Sequence, residues 1–435
     1  MMRFRRARPG TVTDQATAWQ RLLGAGVVLV ILAMQFLDSR HGVTGGPWVV
    51  SAQLVLCALA TVVAVPSAWR RRSEITPAVW WLVGAFTLIQ AWSLVSALVS
   101  PASVIRQGTI PRVYQVMPVV TGWLTMTAAV TVLVAMGSAV RRWSLAWAGV
   151  ALLVGTLLDW PVQAVIHRSP RVASGMGGSA VLHVALILSA AVLADRALGA
   201  SGRSRYWWWT GAAVGLVLSL LTGSRGALIV AAVLVLMCLL TWGRRTARRV
   251  VLIVIIAAGA ALAVAISVVH SLHRLATWRS PLRASTYQVA WQAVTESPGR
   301  LLLGVGSGSL FPWYAIEAKL YPAPGDRQVV TQYGRVLTSA HSSYVAVGSE
   351  LGLVMLAVLV ALVGMLWQRA VRTIREPGGT VAPVQTLALA AVTVAWLFDS
   401  YLVKNFSVSL WWWLVAVSTG LADADSRDRG EPARS

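Results

Sequence analysis

Apolar side chains along this chain gather into twelve runs set apart by polar connections: 22–37, 48–65, 78–99, 119–139, 143–158, 179–193, 207–221, 227–240, 250–269, 344–366, 384–398 and 406–421. A helix that crosses the hydrocarbon core of a bilayer needs about 20 mostly apolar residues. The runs therefore read as about 12 transmembrane helices, the fifth, seventh and eighth being short. The first lacks a small-residue cleavage site and is followed by further spans, so it reads as a retained span rather than a cleavable signal. One stretch breaks the rhythm. Residues 270–340 hold no spanning run, and a connection of that length is functional or disordered rather than passive. Its pattern argues for order: within 284–295, Tyr287, Ala290, Trp291 and Val294 share one helical face, and Ser297-Pro298-Gly299 ends the helix. Trp313 and Tyr314 follow, suited to the headgroup level, and the triplets Trp207–Trp209 and Trp411–Trp413 read as interfacial belt residues. The fold class expected is an all-α polytopic membrane protein with one long, partly helical extracytoplasmic loop. It divides into a basic tail (1–21), helices one to nine (22–269), the loop (270–340), helices ten to twelve (341–421) and a second tail (422–435).

Composition agrees. Hydrophobic residues make up 57% of the 435 and charged residues 12%, against about 25% charged in a soluble domain. That excludes a soluble enzyme, a disulfide scaffold and a disordered chain. The formal net charge of +22 would suggest nucleic acid in a soluble protein, but here the cations orient helices. Of the 37 basic residues, 23 fall on alternate short connections and the tails, against 7 on the short connections of the other side. By the positive-inside rule both termini face the cytoplasm and 270–340 lies outside. Only Lys319 and Lys404 are lysines, so there is no Gly-Lys-Ser/Thr phosphate loop, and Cys57 and Cys238 sit in apolar runs without a redox or metal spacing. The Arg/Ala/Val-rich usage suggests a GC-rich bacterial genome.

Few ionisable groups lie at membrane depth or on the outer face. Arg225 sits in Thr222-Gly223-Ser224-Arg225-Gly226 on the external side, either as a snorkelling turn arginine or as an anion-binding guanidinium at helix ends. Arg283 opens the amphipathic loop helix, with Tyr287 and Trp291 at four-residue steps. Gly304-Val305-Gly306-Ser307-Gly308 is a bare glycine-rich turn or an anion-cradling nest. His341 stands where the loop re-enters the membrane, as a helix cap or as a proton acceptor near neutral pH. Glu350 is the deepest acid, expected to be paired or protonated. Nine residues place it on roughly the opposite helix face from His341, which argues against a direct dyad.

Taken in order, Arg283, Trp291, Ser297-Pro298, Gly304 to Phe311, Ala340-His341-Ser342-Ser343-Tyr344 and Glu350-Leu351-Gly352 resemble the signature of the bacterial O-antigen ligase and O-antigen polymerase superfamily. Gly223-Ser224-Arg225-Gly226-Ala227 is similar to its upstream motif, and Arg171 with Gly175-Met176-Gly177-Gly178 to a looser glycine-containing counterpart. The likeness covers about half of the chain. It departs in having Ser342 where Asn is usual after the histidine, and in lacking an Asn-Pro-Asn before the sixth span. The resemblance implies a GT-C-like glycosyltransferase in the bacterial cytoplasmic membrane, working in cell-envelope polysaccharide biosynthesis. It would move a glycan from a polyprenyl diphosphate donor to a glycan, lipid or protein hydroxyl outside the membrane. It implies Arg225 and Arg283 on the diphosphate and His341 as general base, in one inverting displacement. A diphosphate leaves well without protonation, so no metal or cofactor is called for. Arg168, Arg171, Tyr287 and Arg335 are the next candidates for diphosphate or sugar contacts, against their plain reading as outer-loop residues. Asp423-Ala424-Asp425 reads as a solvated tail, not a metal site.

A transporter or flippase is the rival from another class, but it would want charges near the midplane and related halves, and neither is visible. A non-catalytic scaffold is the third reading. Ligase and polymerase share these motifs; a GC-rich Gram-positive source would favour the polymerase.

Overall fold

The computed structural model describes residues 17–37, 47–99, 112–168, 170–241, 281–313, 328–376, 382–400, 402 and 406–427. The expected ninth span (250–269) and Tyr314 lie outside them. The first eight runs appear as α1 (Ala18–Phe36), α2 (Pro47–Arg70), α3 (Pro77–Val99), α4 (Arg112–Ala135), α5 (Ser138–His167), α6 (Leu182–Gly199), α7 (Arg203–Leu221) and α8 (Arg225–Thr241). The loop contributes α9 (Pro281–Thr295), α10 (Pro298–Leu303) and the strands β1 (Gln328–Thr331) and β2 (Gly334–Leu337). Then follow α11 (Ser343–Glu350), α12 (Gly352–Arg375), α13 (Pro383–Val392) with a 3₁₀ turn over Thr393–Leu397, and α14 (Phe406–Arg427). Among the described residues seven helices are long and apolar enough to cross a membrane, and α8, α13 with its 3₁₀ turn, and α14 are shorter apolar helices.

The tenth run is not one helix. It breaks between Glu350 and Gly352 because two backbones meet there. A Cβ on Gly352 (φ +82°) would lie 2.2 Å from the Leu302 carbonyl oxygen, and one on Gly304 (φ +85°) 2.2 Å from that of Glu350. Only glycine allows that approach in that conformation. The Trp92 indole of α3 donates to the carbonyls of Leu303 (3.2 Å) and Leu351 (3.1 Å). The end of α10 therefore lies beside α3 about two turns short of its end, with Leu302 and Leu303 exposed on its outer side.

The bundle is built around α6, where every residue from Leu182 to Ala194 is buried, as an all-round apolar helix in a core should be. It packs on α5, α7, α13 and α14. Trp411, Trp412 and Trp413 of α14 are fully buried: Trp411 donates to the Ala185 carbonyl (3.2 Å), and Trp413 meets Phe86 edge-on at 4.8 Å. The belt expectation for this triplet is thus corrected, since neighbouring helices surround it on all sides. Near the far end of α6, the Asp195 carboxylate accepts from the Val384 and Gln385 amides at the start of α13, both at 2.9 Å. Thus α13 runs back antiparallel to α6, and its 3₁₀ turn arrives at the end of the bundle where α6 begins. The first turn of α8 is there too, because Gly226 abuts the His183 imidazole.

On this end sits a small subdomain with its own core of Val289, Ala290, Ala293, Val305, Leu310, Phe311, Val329, Val336, Ala340 and Ala346. The all-α expectation needs a correction here. β1 and β2 form an antiparallel hairpin with Val329 opposite Val336, a strand signal too short for a hydropathy reading to register. The Leu337 amide donates to Thr286 Oγ1 (3.1 Å), docking the hairpin on α9. The hairpin turn is fastened by Tyr333, whose hydroxyl donates to Glu296 and accepts from Arg300. The buried stripe of α9 is Thr286, Val289, Ala290, Ala293 and Val294, the i, i+3, i+4, i+7, i+8 pattern, whereas Trp291 is 62% exposed. The expected face was right for Ala290 and Val294 and wrong for Trp291.

Candidate functional site

Two groups of side chains come to this end of the bundle. The first surrounds the turn between α7 and α8. Arg225 is the first residue of α8 and is half-buried. The segment after α5 is tied onto the same turn: the Val172 amide donates to the Leu221 carbonyl (3.2 Å), and Arg171 Nε donates to the Thr222 carbonyl (2.7 Å). That segment is held from behind by buried polar contacts. The Gly175 amide donates to the Gln35 carbonyl and to Asp159 Oδ2, both at 2.8 Å, and Ser174 Oγ donates to Gln35 Oε1 (2.9 Å). A Cβ on Gly175 would lie 2.6 Å from the Gln35 carbonyl oxygen, so this glycine is a close-packing residue. Arg168 caps α5 in the left-handed region (φ 47°) and is exposed.

The second group surrounds His341. Its backbone is also left-handed (φ 49°), a conformation that costs a non-glycine residue about 1–3 kcal/mol and persists only where the surroundings impose it. They do so on both sides. The His341 amide donates to Ser339 Oγ (3.3 Å), and the Tyr287 hydroxyl from α9 reaches the His341 carbonyl at 3.5 Å. Ser342 caps α11 by accepting from the Val345 amide (3.3 Å), while its hydroxyl donates to the Trp396 carbonyl (3.2 Å). The Ser343 amide and hydroxyl both donate to the Asp399 carbonyl at 3.1 Å. Burial pushes the Tyr287 phenol above its ordinary value, the Arg283 guanidinium one turn earlier pulls it down, and the Asp399 carboxylate pushes it up again. Tyr287 thus sits against the His341 turn, within electrostatic reach of Arg283 and Asp399. Asp399 went unread in the sequence, although an acid just after an apolar run is the kind of signal that marks such a position.

The glycine-rich turn is not a cradle for a foreign anion. The Val305 and Gly306 amides donate to the carbonyls of Ser349 and Glu350, each at 3.0 Å, and the Ser307 amide to Ser96 Oγ (3.2 Å). The Leu310 and Phe311 amides both donate to Glu350 Oε1, at 3.1 and 2.9 Å. The expected partner of Glu350 is therefore this turn, and its carboxylate pins the subdomain to the break in the tenth span. Glu350→Ala leaves two amides without their acceptor, which costs about 1–3 kcal/mol. Thermal unfolding in detergent should register that loss and show Glu350→Gln, which keeps an acceptor oxygen, closer to wild type. Arg335 is exposed on the face of β2 opposite Val336 and is not brought to either group.

The arrangement offers guanidinium groups on one flank and an imidazole in a fixed turn on the other, at one end of a membrane-type bundle. Such a site suits an anionic leaving group and a hydroxyl nucleophile. A family model described as O-antigen ligase matches residues 210–360, a span that holds Arg225, Arg283, Tyr287, Arg335, His341 and Glu350. Arg168, Arg171 and Asp399 lie outside it. No curated protein matches the chain.

Proposed function

Because this multi-pass membrane protein belongs, through residues 210–360, to the O-antigen ligase/polymerase superfamily, whose business is membrane glycan transfer, we propose that it moves a glycan from a polyprenyl diphosphate carrier to a hydroxyl acceptor on the extracytoplasmic face. The acceptor oxygen attacks C1 of the donor sugar. The C1–O bond to the diphosphate breaks with its electron pair going to the leaving group, and the acceptor proton goes to His341. Configuration at C1 inverts in this single displacement. Arg225 and Arg283 supply permanently charged, bidentate donors where negative charge grows, with Arg168, Arg171 and Tyr287 as further contacts to diphosphate or sugar. The observation that carries this reading is that the α8 turn, the start of α9 and the His341 turn, far apart in sequence, come to the same end of the bundle.

The reaction draws its energy from the lipid diphosphate. Purified protein given polyprenyl-diphosphate glycan and acceptor, without nucleotide or divalent metal, is expected to form a new glycosidic bond with inverted configuration. Movement of the glycolipid across sealed vesicles without any new bond would instead identify a transporter. Arginines on alternate short connections support cytoplasmic termini in a bacterial plasma membrane, with the site outside. Polymerisation of repeat units is the second reading, and a GC-rich Gram-positive source would favour it over ligation. Product length separates them: a ladder of repeats marks the polymerase, a single transfer the ligase.

A further inference from the structure

The loop meets the bundle at the break in the tenth run, and what it turns outward there is apolar. Leu302 and Leu303, the last two residues of α10, are 50% and 49% exposed, and Leu353 and Val354, which follow the glycine packed on Leu302, are exposed as well. Two neighbouring helices give the depth of this tip. From Gly352 to Arg372, a basic residue in its last turn, α12 covers about 20 residues, or about 30 Å, the thickness of a bilayer's hydrocarbon. On α3 the Trp92 contact precedes the helix end by about two turns, and along those turns Val95, Leu98 and Val99 also face outward. The tip of α10 therefore lies at a level where both neighbours still present apolar side chains to the membrane.

The backbone is fitted for that setting. In hydrocarbon no water serves an open amide or carbonyl, so irregular chain persists only where protein supplies both partners and cover. Both are supplied here. The Gly304 amide donates to the Arg300 carbonyl (2.8 Å), the Val305 and Gly306 amides to the carbonyls of Ser349 and Glu350, and the Trp92 indole serves the carbonyls of Leu303 and Leu351. Val305, Leu351 and Gly352 are buried. The irregular chain is thus turned inward, and the leucines of a helical turn are what it leaves outside.

We propose that the tip of α10 is inserted among the lipid acyl chains of the leaflet beside the candidate site, where Leu302 and Leu303 continue the lipid-facing surface of α3 and α12. The occupant is lipid because the patch is continuous with faces that two membrane-spanning helices already give to the bilayer. The subdomain is then held by the bilayer as well as by the bundle: Arg300 of α10 binds Tyr333 of the hairpin turn, and Glu350 at the break binds the Leu310 and Phe311 amides. The level of the leaflet sets the level of the subdomain. This anchor stands whether or not the protein transfers glycans.

The test uses the full-length protein in lipid nanodiscs, with a fluorophore attached at Leu303→Cys after Cys57→Ser and Cys238→Ser remove the two buried native thiols. That label should lose its fluorescence to lipids brominated on the acyl chain, as a label at Val360→Cys on the exposed face of α12 does, and should be shielded from aqueous iodide. A label at Gln332→Cys in the exposed hairpin turn should show the reverse. Quenching at Leu303→Cys by iodide and not by bromine overturns the anchor, and a label silent to both overturns it in favour of a covering protein. Should the labelled variants fail to fold, the wild type decides. Carbene adducts on Leu302 or Leu303 from a photoactivated acyl-chain probe support the anchor, and their absence, with Val360 labelled in the same sample, overturns it.

Discussion

Glycan transfer by the His341→Ala protein is expected to fall by about 10²–10⁴-fold, the usual contribution of a positioned general base, while the protein still inserts and accumulates. The acceptor hydroxyl is a poor nucleophile until its proton has somewhere to go, and in the proposed reaction that proton goes to His341. The turn also gives the control. Alanine is uncomfortable at φ 49°, whereas asparagine enters the left-handed region more readily than most residues yet takes no proton near neutral pH. His341→Asn should therefore keep the thermal stability of the wild type and lose the rate. A folded His341→Asn protein with normal turnover would strip His341 of its role as base.

Arg225→Ala and Arg283→Ala should each lower transfer by about 10²–10³-fold, comparable to deleting one donor aimed at developing charge. The loss should fall mainly on kcat, because charge on the diphosphate oxygens grows as the C1–O bond breaks and contacts that strengthen on the way to the transition state act on that constant. Lysine at either position restores the charge without the planar fork and should recover part of the rate. Steady-state kinetics on purified variants decide the matter. A variant whose KM rises with kcat intact would mean that its arginine binds the ground state and transition state alike.

Hydropathy located α1 to α8 because a membrane helix announces itself by length and apolarity alone. It did not find the break at Leu351, since Gly352 inside an apolar run looks like a tolerated glycine until Leu302 and Gly304 are seen against it. Nor could it tell that Trp411 to Trp413 face helices rather than headgroups: the same residue serves both, and the difference lies in the neighbours. Arg225, Arg283 and His341 could be picked out as candidates because their motifs are local in sequence. Asp399 could not, because it meets Ser343 only across more than forty residues of chain. The departure at Ser342 has a local explanation. Its hydroxyl caps α11 and hooks the Trp396 carbonyl, and serine and asparagine are both strong N-caps, so the position sets the shape of the turn.

The Asp195 latch has a mechanical reach well beyond its own surroundings. It joins α6 to α13 near the ends remote from the candidate site, while the opposite ends of the same two helices carry His183 and the 3₁₀ turn that holds Ser342, next to His341. Twelve residues of helix make a lever arm of about 18 Å, so a splay of about 5° at the latch displaces the tip by about 1.6 Å. Offsets near 1 Å between reacting groups already slow a reaction by about 10²-fold. A carboxylate at the far end of the bundle thus governs the spacing that the proposed transfer requires.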